Sequence, residues 1–156
     1  MARRIKFVWI GRLKRRFWQS AVEHYWSRLS RFYKLDEICL KDGPPHLSPA
    51  ERAEEEARRI TGKLGPGDLP ICLDREGRAP SSQQLACLLN GWLEDPGAEP
   101  CFIIGGAYGL PETFLARMRE RLSFGPLTLP HELARVLLLE QLYRAATISM
   151  NHPYHH

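Results

Sequence analysis

Along this 156-residue chain, short apolar runs alternate with longer stretches whose apolar positions recur at helical spacing. "IKFVWIG", from Ile5, predicts a first strand closed by Gly11. From about Lys14 to Tyr33, the positions of Phe17, Val22, Tyr25, Trp26, Leu29 and Phe32 predict a helix. "LDEICLK" predicts a second strand, followed by a "DGPPHL" loop. The next helix is announced by its end chemistry: Ser48 suits the N-cap, Pro49 the first helical position, and Glu51 completes a capping box. It should end near "TGKLGPGD", whose glycines and proline cannot extend it. "LPICLD" predicts a third strand, and Ser81 or Ser82 caps a helix through Leu93. "EDPGAEP" turns the chain into a fourth strand, "CFIIGG". After "AYGLPET", a short helix over "FLARMRERL" and the segment "SFGPLTLP" precede a last long helix, His131 to Ser149.

A β-α unit repeated about five times predicts an α/β fold, a mainly parallel sheet with helices on both faces. The absence of internal repeats and low-complexity segments predicts one domain over 1–156. The last helix is apolar on more than one stripe, through Leu133, Val136, Leu137, Leu138, Leu139, Leu142 and Ile148. Such a helix must be covered on more than one side. A second copy of the chain is the expected cover, a central position in the core the alternative.

Composition changes this picture little. Hydrophobic residues at 44% and charged residues at 26% are ordinary for a folded domain. The net charge of +4 is unevenly spread. Arg3, Arg4, Lys6, Arg12, Lys14, Arg15 and Arg16 precede the first acidic residue, Glu23, and acid concentrates in "ERAEEE". The basic end could attract a phosphate backbone or simply be a solvated helix start. No apolar run approaches the roughly 18 residues of a membrane span. Cys39, Cys72, Cys87 and Cys101 show no C-x-x-C spacing, and three of them interrupt apolar runs. Buried free thiols in a reducing cytoplasm are expected.

Nucleotide and hydrolase signatures are missing. "GGAYG" does not fit G-x-G-x-x-G, no P-loop lysine follows it, "HELAR" lacks a second histidine, and no G-x-S-x-G elbow occurs. What remains is a set of unusual loops at strand carboxyl ends, where open α/β sheets bind ligands. They are Leu73-Asp74, Gly105-Gly106 and "FGPLTLP", the last stiffened by Pro126 and Pro130. Backbone groups and aliphatic walls there would suit a flat heterocycle.

"FIIGGAYGLPETFL", "LSFGPLTLPHELARVLLLEQLYRA" and the terminal "NHPYH" closely resemble the bacterial ribosomal RNA methyltransferases of the RlmH type. These are small SPOUT-class enzymes that methylate N3 of a pseudouridine in large-subunit (23S) rRNA. The resemblance runs from the first strand to the last residue. It implies a C-terminal trefoil knot, a homodimer, the ribosome as partner, and S-adenosylmethionine as methyl donor. Position by position, the family's cofactor pocket falls on Leu73, Gly105 and the loop Phe124, Gly125, Pro126, Leu127, Thr128 and Leu129. Two further readings stay open: a SPOUT enzyme acting on another RNA base, and an RNA-binding relative without activity.

The family's tail lies by the methyl donor, often across the dimer, and its Tyr-His pair falls on Tyr154 and His155. This makes the histidine-rich terminus active-site material rather than a tag, and a metal site is disfavoured because no carboxylate or cysteine lies near it in sequence. Where the family often carries arginine or lysine next, this chain has His156, which puts any role for that position in doubt. For the chemistry, His155 could take the imide proton, Tyr154 orient the ring, and Arg144 stabilise the developing charge. Arg144 could instead pair with Glu140 one turn away. Arg12, Lys14, Arg15 and Arg16 are the expected phosphate contacts, on a target base splayed from its stack.

Overall fold

The computed structural model describes residues 3–155; the side chain of His155 and all of His156 lie outside the described residues. The elements are β1 (Arg4–Ile10), α1 (Arg16–Leu29), β2 (Lys34–Leu40), α2 (Pro49–Thr61), β3 (Asp68–Arg78), α3 (Ser82–Glu94), β4 (Glu99–Ile104), α4 (Glu112–Leu115), β5 (Glu120–Leu122) and α5 (His131–Ser149). A 3-10 turn, Pro153–His155, follows α5. The strands form one sheet in the order β2-β1-β4-β3-β5, every neighbour parallel. Parallel pairing follows from the helical crossovers that return the chain between strands.

The strands are apolar runs because both sheet faces are covered. Ile5, Phe7 and Trp9 point to one face and pack with Leu29, Leu85, Leu89 and Leu142 of α1, α3 and α5. Val8 and Ile10, alternating with them, meet Ala57 and Ile60 of α2 and Phe114 and Leu115 of α4. Phe7 centres the larger core, its ring 4.9 Å from Trp9 and 5.9 Å from Phe102. Burying a side chain of this size contributes roughly 1.5–3 kcal/mol.

Both expected capping sites close as boxes. The Ser48 hydroxyl accepts from Glu51 N and the Glu51 carboxylate from Ser48 N. Ser81, not Ser82, is the second cap, paired with Gln84. Ser82 instead donates to Gln141 Oε1 at 2.7 Å, tying α3 to α5.

Three expectations are corrected. The helix expected over "FLARMRERL" is only α4, and Glu120–Leu122 is a strand paired with Ile71–Leu73. Its residues favour helix locally, but edge pairing outweighs a propensity of a few tenths of a kcal/mol per residue. The multi-sided apolar α5 is largely covered within the chain, by the sheet and by α1 and α3, with Leu138, Leu139 and Leu142 fully buried. Leu133, Val136 and Leu137 stay half-buried. Of the cysteines, Cys72 and Cys101 are buried, and burial pushes both thiols up to about 12. Cys39 and Cys87 are exposed, since β2 is an edge strand and Cys87 lies on the outer side of α3. No helix among the described residues is long and apolar enough to cross a membrane.

Candidate active site

The strand order sets the carboxyl ends of β4, β3 and β5 side by side, and a cleft of about 420 Å³ opens there. That volume suits a small-molecule ligand. Its walls are Leu73–Arg75, the run 104–110 after β4, Leu122, and most of the loop before α5.

The glycines shape it through backbone contacts. A Cβ on Gly105 would lie 2.9 Å from the carbonyl carbon of Gly109, so a side chain would displace the turn that follows. That turn is closed by Gly109 N donating to Gly106 O at 3.0 Å, with Gly109 at φ +72°. Gly125, at φ +106°, donates to the Ser123 hydroxyl at 3.0 Å. Ser123 Oγ donates in turn to Arg75 O at 3.0 Å, joining the loop after β5 to the last part of β3.

Charge around the cleft is mostly spoken for. Arg121 Nε donates to Asp74 Oδ2 at 2.9 Å, and Glu112 stands 3.3 Å from its Nη1. These hydrogen bonds, Asp74 first, raise the Arg121 pKa and keep it a cation. Arg75 Nη1 donates to Thr128 Oγ1 at 3.0 Å across the lips. His131, the first residue of α5, lines the cleft with its Nε2 3.1 Å from Glu132 Oε1. Burial is the main cause that lowers its pKa, so the imidazole is neutral near pH 7. Behind it, buried Arg135 donates to Ile10 O at 2.7 Å and lies 5.4 Å over the Trp9 ring. This fastens α5 to the end of β1. Among the described residues, no group of three or more His, Cys, Asp or Glu is placed to hold a metal ion.

Of the residues expected to hold cofactor, Leu73, Gly105, Phe124, Gly125, Leu127, Thr128 and Leu129 line the cleft; Pro126 belongs to the same loop but not to the lining. Of the three expected catalytic residues, the two whose side chains are described, Arg144 and Tyr154, do not line it within one chain. Arg144 pairs with Glu140 at 2.6 Å and lies 5.2 Å from the Tyr154 ring. Tyr154 packs on Tyr143 at 4.5 Å and its hydroxyl donates to Glu140 Oε1 at 3.4 Å. Burial, then a hydrogen bond with Tyr25, pushes its pKa up to about 12. At about 1.5 Å per residue, Glu140 is roughly 14 Å and Arg144 roughly 20 Å along α5 from His131. His155 ends the 3-10 turn, its side chain outside the described residues. Arg12, Lys14, Arg15 and Arg16 are all exposed. They follow Gly11, where an added Cβ would be 3.3 Å from His131 Cε1, so the basic segment leaves the sheet beside the cleft.

Arg75 and Tyr108 also line the cleft and were not singled out from sequence. The available signals were an arginine directly after the Leu73-Asp74 strand end and an aromatic inside a glycine turn.

This site and sheet are those of a methyltransferase class: the family model described as "Predicted SPOUT methyltransferase" matches residues 3–155, and the chain belongs to the SPOUT methyltransferase family. It is similar over nearly its whole length to proteins named Ribosomal RNA large subunit methyltransferase H. That of Maridesulfovibrio salexigens is 46% identical over 153 residues, 98% of each chain. That of Nitratidesulfovibrio vulgaris is 45% identical over 152 residues, 97% of this chain and 98% of the other. A probable methylase family protein from Haemophilus influenzae shares the fold, with a TM-score of 0.56 at 15% identity over 94% of this chain and 68% of that one. SPOUT methyltransferases use S-adenosylmethionine. The chemistry of the cleft suits such a ligand: its glycine turns leave backbone donors and acceptors open, and Leu73, Phe124 and Leu129 make part of its wall apolar.

Proposed function

We propose that this protein, a single domain, methylates N3 of a pseudouridine in 23S rRNA on the assembled ribosome, acting as a cytoplasmic homodimer. The observation that carries the reading is the cleft between Leu73, Gly105 and the 124–129 loop, in a chain whose full-length relatives are named for large-subunit rRNA methylation.

Bound S-adenosylmethionine supplies a methyl carbon made electrophilic by its sulfonium. The chain's own work is to hold N3 in line with that carbon and exclude water. Leu73, Gly105 and Phe124–Leu129 hold the cofactor, with Pro126 stiffening the loop. Tyr154 orients the uracil ring, His155 accepts the imide proton, and Arg144 steadies the resulting negative charge. Glu140 occupies Arg144 Nε and Nη2, which leaves Nη1 for that task.

Arg144, on α5, and Tyr154, in the turn after it, are tied together through Glu140, a part of α5 far from the cleft of their own chain. This supports their delivery, as one unit with the tail, by a second copy. The half-buried Leu133, Val136 and Leu137 and the exposed Phe17 leave apolar surface for that partner. Arg12, Lys14, Arg15 and Arg16 contact phosphates at the cleft's edge. The knot is part of the proposal: Leu122 pairs with both Leu73 and Arg78, and Ser123 N donates to Arg78 O at 2.7 Å, so the 73–78 segment curls round the end of β5.

The test is transfer from labelled S-adenosylmethionine to ribosomes lacking the modification, with the labelled nucleotide located by mass spectrometry. Label at N3 of a 23S pseudouridine is expected. Label on another base, or cofactor binding without transfer to ribosomes, would overturn the substrate assignment.

A further inference from the structure

Two of the large hydrophobic side chains exposed among the described residues flank the mouth of this one cleft. Tyr108 is 51% exposed and Leu127 is 74% exposed, and both line it. They stand on opposite lips, since Tyr108 follows β4, Leu127 follows β5, and β3 lies between those strands. Exposed apolar surface gathered at a binding site marks a contact made with something that arrives from solvent.

Tyr108 is also fixed. Its turn is closed between Gly106 and Gly109, and the guanidinium of Arg52, on α2, lies 5.4 Å from the centre of its ring. Arg52 is itself wedged in place, with its Cγ 3.0 Å from where Gly43 would carry a Cβ and its Nε buried without a partner. A cation against one face of an aromatic ring holds the ring and leaves the other face for a flat partner. The inner cleft walls are buried or half-buried, as a cofactor pocket requires, whereas this ring stands at the entrance. RNA-modifying and RNA-binding proteins take splayed-out bases on such aromatic faces.

We propose that Tyr108, braced by Arg52 and faced by Leu127, is the platform on which the target pyrimidine stacks as it enters the cleft. The proposal rests on the rRNA methyltransferase reading and adds the residue that positions the base.

The experiment compares wild type with Tyr108→Ala, Tyr108→Phe and Arg52→Gln. It measures kcat/KM on unmethylated ribosomes, the Kd for S-adenosylmethionine by calorimetry, and mass in solution by light scattering. Tyr108→Ala is expected to lower kcat/KM for ribosomes by about 5- to 150-fold, the loss of one base–aromatic stack. Tyr108→Phe keeps the ring and should stay within about twofold of wild type, and Arg52→Gln should fall between. Cofactor affinity and mass stay unchanged in all three. An unchanged kcat/KM in Tyr108→Ala overturns the proposal. So does a parallel loss of cofactor affinity, which would make Tyr108 a cofactor contact, or a change in mass, which would place it in a subunit interface. Wild-type protein that binds S-adenosylmethionine but leaves ribosomal RNA unmethylated overturns the underlying reading, and this proposal with it.

Discussion

A Cβ on Gly77 would stand 2.6 Å from the carbonyl carbon of Arg121 and 2.7 Å from its oxygen. The approach is backbone to backbone, so no side chain can swing aside to make room. Together with the Arg121–Asp74 ion pair and the bond from Ser123 N to Arg78 O, it locks the β3 and β5 ends that form one wall of the cleft.

Replacing Gly77 with alanine should therefore cost about 1–3 kcal/mol, as overpacking a tight site does. Urea unfolding would measure it, alongside calorimetric titration with S-adenosylmethionine, whose affinity should fall too. Unchanged stability would mean that the β5 end yields and that the wall is softer than its contacts indicate.

Gly105→Val should abolish cofactor binding. The new Cβ would meet the Gly109 backbone at 2.9 Å and 3.0 Å and Leu110 Cγ at 3.1 Å, pushing the 106–109 turn out of the cleft wall. Equilibrium binding of S-adenosylmethionine checks this directly. An affinity equal to wild type would remove that turn from the cofactor site.

Truncation after Asn151 removes the Tyr154 contacts with Tyr143 and Glu140 and, among the described residues, none that lines the cleft. Cofactor affinity should survive and methyl transfer should stop. If a second copy donates the tail, mixing the truncated protein with full-length Gly105→Val restores transfer to about a quarter of the wild-type rate. That is the share of intact sites when dimers pair at random. A tail acting on its own chain's cleft gives no recovery.

His131 links pH to stability. Burial holds its pKa below the ordinary value of about 6.5, with Glu132, Asp42 and Glu56 opposing and Arg135 assisting. The unfolded chain then binds the extra proton first, so stability is full above about pH 6.5 and is lost as pH falls through the lower folded value. Melting temperature should decline more steeply in wild type than in His131→Asn on going from about pH 7 to pH 5. Parallel profiles would assign the acid sensitivity to other groups.

Much of the architecture was legible because its signals are local. Ser48, Pro49 and Glu51 mark the start of α2 whatever surrounds them, and the apolar runs of β1 and β4 read correctly because both faces of those strands are buried. The "FLARMRERL" segment read wrongly for the same reason in reverse. Its helix-forming residues carry no trace of the β3 edge that captures Glu120–Leu122. The glycine and proline loops that line the cleft could be picked out one by one, since unusual backbone needs unusual residues. Arg75 and Tyr108 stand out less, because an arginine after Leu73-Asp74 and an aromatic inside a glycine turn are common features that no backbone constraint requires.

The sequence by itself determined an α/β chain with a buried parallel sheet, its helix caps, and loops fit for a ligand at the strand ends. All of these follow from periodicity and backbone chemistry within a few residues. Only the tertiary structure decided that β4, β3 and β5 lie side by side, that Arg52 braces Tyr108, and that Arg144 and Tyr154 sit far from their own cleft. Such contacts join segments with no local preference for one another. They form only when the burial gained across the whole sheet outweighs the entropy of closing the long loops between them.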